Sequence, residues 1–198
     1  MIGDKRTRLP AEYQEVEWLA SHGSEAIKLP AVSKLSDISL DFQMLSTDPP
    51  TLFGFSSATA GTSAEDFYIA LNSQRKYYVW YGQKRIVSSI TDDMSRSVIT
   101  LKDGIFRING VVFAEFEPDA AVAPETYLYG RARVGVVYDL AKMRVYSFIV
   151  KEPGGADQIA LVPCYRKSDG VAGMYDLAAG LFRVNARSSG AFDVGPAV

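Results

Sequence analysis

The chain of 198 residues has one cysteine and one histidine. A lone cysteine, Cys164, excludes an intramolecular disulfide and a cysteine-rich metal framework. The only thiol–base pair it could form is with His22. Cys164 lies between Pro163 and Tyr165 in a strand-like run, and free cysteine is among the most buried residue types, so it reads as core. His22, beside Gly23, reads as a surface turn residue. No glycine-rich strand-to-helix turn carries a lysine, so the phosphate loop is missing. No stretch approaches the ~18 apolar residues of a membrane-spanning helix, and no membrane insertion is expected. The opening segment, Met1-Ile2-Gly3-Asp4-Lys5-Arg6-Thr7-Arg8, lacks the apolar core of a signal peptide. Export by a cleaved leader is therefore not expected.

An excess of either charge is also missing. There are 21 basic and 23 acidic residues, for a net charge of −2. A nucleic-acid binder would carry a basic stripe. The densest interior basic pairs, Arg131-Ala132-Arg133 and Lys84-Arg85, read as solvated loop charge. Calcium needs several loop carboxylates and carbonyls. Glu65-Asp66 and Asp92-Asp93 are the available donors, but neither has a ligand spacing. No cofactor is expected, and calcium is left as an unsupported option.

What the chain has is alternation. Hydrophobic residues make up 47% and charged residues 22%, and a chain this long can bury roughly 70% of its unfolded surface. Leu40, Phe42 and Met44 alternate with Ser39, Asp41 and Gln43, which predicts a half-buried strand. Asp48-Pro49-Pro50 ends it. Further strands are expected at Thr51–Phe55, Asp66–Asn72, Lys76–Tyr81, Arg85–Ile90, Ser97–Leu101, Ile105–Ile108 and Val111–Phe116. Ser56 to Glu65 and Pro118 to Pro124 read as loops. Asn109-Gly110 between apolar strands is a strong hairpin signal, because both residues tolerate positive φ. Thr126–Tyr129, Arg133–Tyr138, Lys142–Lys151, Ala160–Arg166, Gly170–Asp176, Leu181–Val184 and Phe192 complete the series. Ala11 to Ala20 reads as a turn followed by a strand. Many short strands with turn punctuation predict a sandwich or barrel. No linker divides the chain, so the expected organisation is a short N-terminal arm, residues 1–8, and a single domain, residues 9–198.

The two ends resemble a known family. Leu9-Pro10-Ala11-Glu12-Tyr13-Gln14-Glu15-Val16-Glu17-Trp18-Leu19 is similar to the opening of concanavalin A-like, laminin G-like jelly-roll modules. The match continues in Leu52-Phe53-Gly54 and Lys142–Phe148. It is most specific in the closing stretch, Val162-Pro163-Cys164-Tyr165-Arg166-Lys167-Ser168-Asp169-Gly170-Val171-Ala172-Gly173-Met174-Tyr175-Asp176-Leu177, followed by Leu181–Asn185 and Gly190-Ala191-Phe192. Residues 56–130 match only in pattern. The resemblance implies an all-β fold, a two-sheet antiparallel jelly-roll β-sandwich. Such modules occur in phage structural proteins and bacterial surface proteins. The implied role is non-catalytic: a head or tail fibre or capsid decoration, assembled in the host cytoplasm and carried on the virion. Its partners would be other virion proteins, copies of itself, and a host-surface glycan. The alternative is a lectin-like, carbohydrate-binding module at a bacterial surface or outside the cell. Some jelly-roll relatives are glycoside hydrolases, which need two carboxylates flanking the bond. Glu115-Phe116-Glu117 lacks the central Asp of their Glu-x-Asp signature.

The residues themselves offer one candidate site. In Lys76-Tyr77-Tyr78-Val79-Trp80-Tyr81, a strand sends Tyr77, Val79 and Tyr81 to one face and Tyr78 and Trp80 to the other. One set must be core. Tyr78 and Trp80 are expected to be the exposed set, free to stack on a sugar ring, since phenol and indole combine apolar area with a polar tip; the alternative is that both sets are covered within the sandwich. Asn72 and Arg75, from the adjoining turn, are expected to assist. In Lys142–Lys151, Tyr146 and Phe148 are expected to share one face.

Overall fold

The computed structural model describes residues 9–57, 62–118, 120–133 and 136–198. The expected arm, residues 1–8, lies outside them, as do residues 58–61 of the Ser56–Glu65 loop and residue 119 of the Pro118–Pro124 loop. The described residues form strands and no helix. In chain order these are β1 (Tyr13–Glu15), β2 (Leu19–His22), β3 (Ile27–Leu29), β4 (Val32–Ser33), β5 (Asp37–Met44), β6 (Thr51–Ser56) and β7 (Phe67–Leu71). They continue as β8 (Lys76–Tyr81), β9 (Lys84–Thr91), β10 (Arg96–Lys102), β11 (Ile105–Ile108), β12 (Val111–Glu115), β13 (Val122–Ala123) and β14 (Thr126–Leu128). The last are β15 (Arg131–Arg133), β16 (Val136–Tyr138), β17 (Lys142–Lys151), β18 (Asp157–Arg166), β19 (Ala172–Asp176), β20 (Leu181–Arg183) and β21 (Asp193–Val194).

These strands build a two-sheet jelly-roll β-sandwich, with β4 and β13 paired apart as a two-stranded ribbon. The larger sheet runs β12-β11-β10-β5-β17-β18-β19-β20, with β1, β2 and β21 attached. The smaller sheet runs β16-β15-β6-β7-β8-β9, with β14 and β3 attached. Sequence-distant strands lie side by side, as β5 does between β10 and β17. Among the described pairings only β15 with β6 is parallel. The Asn109-Gly110 turn has φ of 50° and 82°, the double positive φ of a type I′ hairpin.

Two expectations about strands are corrected. Arg133–Tyr138 is not one strand: β15 and β16 pair antiparallel with each other, Arg131 opposite Tyr138 and Arg133 opposite Val136. Residues 134–135 lie outside the described set. Tyr146 and Phe148 do not share a face. The pairing of β17 with β5 shifts register between Val145 and Ser147, so one residue is added to β17 alone. Such a bulge flips the parity of every residue beyond it. Val145, Phe148 and Val150 are therefore fully buried, while Tyr146 stands half-buried on the outside.

The core is aromatic across the sheet interface. Phe53 of β6 lies 5.0 Å from Phe148 of β17, and Tyr77 of β8 lies 6.3 Å from Phe42 of β5. A smaller cluster joins the two termini: Leu9, Val162 and Cys164 are buried beside Tyr13, Tyr175 and Phe182. Gly173 is needed there for close approach, since a Cβ on it would sit 2.4 Å from the Arg183 carbonyl oxygen.

The closing stretch is held by a buried ion pair. The Asp176 carboxylate is inaccessible and accepts from Arg183 Nε at 3.0 Å and Nη2 at 2.7 Å. It also accepts from the Ala160 and Ala178 amides. Removing one partner of such a pair strands the other charge. Asp176→Ala is therefore expected to cost about 3–5 kcal/mol in urea denaturation. Asp169, whose pair with Arg166 is exposed, should leave the midpoint unchanged when replaced by alanine.

Candidate functional site

The inner row of β8 is consumed by the core. Tyr77, Val79 and Tyr81 are buried, and Tyr81 stacks on Phe116 at 4.9 Å. The alternate row, Tyr78 and Trp80, lies on the outer face of the smaller sheet, both half-buried.

Cross-strand register gives that row its neighbours. Trp80 pairs with Tyr68 of β7 on one side and Arg85 of β9 on the other. Tyr78 pairs with Ala70 and Val87. Paired strands run about 4.8 Å apart, so these side chains form a contiguous patch. Tyr68 is edge-on to Tyr78 at 6.0 Å and tilted against Trp80 at 6.5 Å. The guanidinium of Arg85 lies 4.4 Å from the Tyr78 ring centre, and that of Arg131 lies 4.5 Å from the Tyr68 ring centre. Arg131 is paired with the exposed Asp139 at 2.6 Å. Val87 is 43% exposed between these groups.

Gly54 of β6 makes room for the patch. Its φ is +140°, and a Cβ there would come within 2.4 Å of Tyr68 Cβ. Any larger residue would push Tyr68 off the sheet. Burial raises the phenol of Tyr68 to about 12, although Arg131 beside it pulls the other way. Burial likewise raises Tyr78 against the pull of Arg131 and Arg85. Both phenols are thus neutral hydrogen-bonding groups at physiological pH.

Asn72 and Arg75 do not join this patch in the way expected. Asn72 Oδ1 accepts from the Gln74 and Lys76 amides at 2.9 and 3.0 Å, which closes the β7–β8 turn. Arg75 has φ of 60°. Its side chain points to Asp92, bonding the Asp92 carboxylate and, at 3.0 Å, its carbonyl oxygen. The same carboxylate accepts from Tyr77 Oη at 2.8 Å, so Arg75 serves the inner face. Tyr68, Arg85 and Arg131 were missed. Tyr68 and Arg85 come to β8 through its two neighbouring hairpins, whose register the residue types do not announce, and Arg131 comes only through the long-range pairing of β15 with β6. The aromatic content of Phe67-Tyr68 was the one local signal.

The other candidates are separated. Burial raises the Cys164 thiol to about 12, and only a thiolate is a nucleophile. His22 is exposed, with Nε2 2.8 Å from Asp193 Oδ2. Asp92 is occupied as described, and the buried Asp66 accepts from the Ser57 amide and hydroxyl. No cluster of three or more His, Cys, Asp or Glu side chains suited to a metal ion occurs among the described residues. Glu115 and Glu117 are both exposed, without the burial that sets a catalytic acid apart from its partner base.

No family model matches the chain. No curated protein matches it either. Solved structures do. It is similar to a heptameric SAP-like pentraxin from Limulus polyphemus, at 11% identity, 69% of this chain, 76% of that chain and a TM-score of 0.46. It is also similar to the CBM40 of the Ruminococcus gnavus IT-sialidase bound to α2,3 sialyllactose, at 12% identity, 73% of this chain, 92% of that chain and a TM-score of 0.49. The same CBM40 without the sugar gives 13% identity, 73% and 91% coverage and a TM-score of 0.45. Likeness this distant does not transfer a ligand, because function on a shared fold resides in the site.

If Arg75 is a structural residue, its loss must register in stability. Asp92 is fully buried and the Arg75 side chain 18% exposed, so losing Arg75 strands a buried carboxylate, eased by its remaining bonds from the Tyr77 hydroxyl and the Met94 amide. Arg75→Met is expected to destabilise the protein by roughly 2–3 kcal/mol in urea. A midpoint unchanged from wild type would return Arg75 to the list of free ligand-binding groups.

Proposed function

We propose that the protein is a non-catalytic carbohydrate-binding module that holds a saccharide across Trp80 and Tyr78. The observation that carries this reading is the outer row of β8, Trp80 and Tyr78, half-buried on the outer face of the smaller sheet with the exposed Arg85 beside them. Aromatic side chains that a core needs point inward. Trp80 and Tyr78 point outward and stay half-buried, while Tyr68 beside them is covered within the chain and backs the row.

The chemistry suits a sugar. A pyranose presents an apolar C–H face to an aromatic ring and hydroxyls around its rim. The indole of Trp80 offers the apolar surface. Arg85, the phenol of Tyr78 and the Arg131–Asp139 pair supply donors and acceptors at the edge. The cation–π contacts hold the guanidiniums over their rings, which reduces the ordering cost of binding. A β-sheet is also a rigid base for such a patch, as precise recognition requires.

A place on a virion, as a fibre or decoration protein that brings a phage to host-surface glycans, is a further part of the proposal. Its support is the resemblance of the two ends of the chain. Copy number in purified virions, measured by mass spectrometry, distinguishes the settings. Capsid-like stoichiometry means decoration, a few copies mean a fibre or tail tip, and complete absence removes the virion role.

The sugar reading is tested on an array of immobilised saccharides with wild type and Trp80→Ala. Losing the indole is expected to weaken binding about tenfold or more, since about 1.4 kcal/mol is tenfold in Kd. The thermal midpoint should change little, because Trp80 is not in the core. Unfolding in Trp80→Ala without a specific binding defect, or no binding of any sugar by wild type at millimolar concentration, removes this function.

A further inference from the structure

We propose that the outer face of the larger sheet is a second binding site, for a neutral saccharide. It is separate from the Trp80 patch, which lies on the other sheet.

The site is built by the bulge in β17. The extra residue places Tyr146 and Ser147 consecutively on the outer face at the middle of the sheet, on the strand between β5 and β18. Bulges are over-represented next to functional sites because they re-aim a side chain. Around Tyr146 the register lines up polar groups. Arg96 of β10, Gln43 of β5 and Arg144 of β17 form one cross-strand row, with Val98, Asp41 and Ser147 in the next.

These side chains bond one another in a fixed network. Arg96 is bidentate to Asp41, at 2.9 and 2.8 Å. Its guanidinium sits 3.7 Å from the Tyr146 ring centre. Gln43 Oε1 accepts from Tyr146 Oη at 3.2 Å and from Arg144 at 3.3 Å. Arg144 in turn lies 4.3 Å from the Trp18 ring centre. Two aromatic residues are thus tied by planar amide and guanidinium groups.

Two shallow depressions flank the network on the same face. One, about 190 Å³, is lined by Tyr146, Glu17, Ser147 and Ile149, among others. The second, about 210 Å³, is lined by Ser39, Thr100, Lys151 and the same Ile149. Each is smaller than the roughly 300–1,000 Å³ typical of small-ligand clefts, so neither by itself encloses a ligand.

The composition of the face selects the ligand. Asp41 neutralises Arg96, and Glu17 lies nearby, so an anion gains little here. The Arg96–Asp41–Gln43–Tyr146 network is polar, and Ile149 is the apolar residue that the two depressions share, whereas a protein partner would need a broad apolar centre. Donors and acceptors alternate within a few ångströms. That is the pattern for hydroxyl groups, each of which both donates and accepts. The Tyr146 ring, backed by Arg96 and bordering the first depression, would take the C–H face of a sugar.

The test is a microarray of neutral saccharides, followed by titration with soluble gluco- and galacto-oligosaccharides. Wild type, Trp80→Ala, Tyr146→Ala and Arg96→Gln are compared, each with its thermal midpoint. Arg96 is 51% exposed, so Arg96→Gln keeps the fold even if Tyr146→Ala does not. The expected result is a set of neutral saccharides still bound by Trp80→Ala and weakened at least tenfold in Tyr146→Ala and Arg96→Gln. The proposal is overturned if Trp80→Ala binds no neutral saccharide, or if folded Arg96→Gln binds all of them as wild type does. Binding that depends on Trp80 alone would leave the first site standing and remove only this one.

Discussion

Rings that meet between the two sheets set the geometry of everything outside them. Phe53 against Phe148, Phe42 against Tyr77 and Phe67 against Phe106 fix which face of each strand is inner. Because side chains alternate along a strand, fixing the inner set fixes the outer set too. Tyr78 and Trp80 face outward because Tyr77, Val79 and Tyr81 are packed against the larger sheet. A register slip of one residue would bury the outer row and expose the core row, so the core's demand for apolar area also keeps the patch in place.

That logic explains what could be read in the sequence. The facing of β8 was legible because the strand is regular over the Tyr77–Tyr81 stretch and its turns are marked by Asn72 and Gly82. The closing stretch was legible for a similar reason: Asp176, Gly170 and Gly173 do local work that the residue types announce. Asp176 does bond the Ala178 amide, as a turn residue should. Its ion pair with Arg183, seven residues on, belongs to strand pairing and was not visible.

The failures have equally physical causes. A bulge leaves no mark in composition, so Val145-Tyr146-Ser147-Phe148 reads as plain alternation and Tyr146 and Phe148 are read onto one face. Arg75 looked like a rim residue because it follows a turn. The turn instead puts it in a left-handed conformation that points its guanidinium at a buried carboxylate seventeen residues away. Arg131 is the converse. It reads as solvated loop charge, yet β15 runs along β6 and lays its guanidinium on Tyr68. Local chemistry and a marked hairpin such as Asn109-Gly110 were readable, and contacts that depend on a distant partner strand were not.

The two outer faces differ in a way that follows from their strands. On the smaller sheet Arg85 and Arg131 face the single carboxylate of Asp139, and the rings there are held mainly by guanidiniums. On the larger sheet Asp41, Gln43 and Glu17 balance Arg96 and Arg144, and a network of hydrogen bonds replaces simple stacking. A shared inner core supports both, so neither face can adjust its backbone without disturbing the packing beneath the other. A rigid module of this kind gains affinity by placing groups in advance rather than by closing on a ligand. Were both proposed sites occupied, one copy would bridge two chains of a glycan coat. Linked binding of that sort strengthens attachment beyond either contact taken alone, provided both sites are engaged at once.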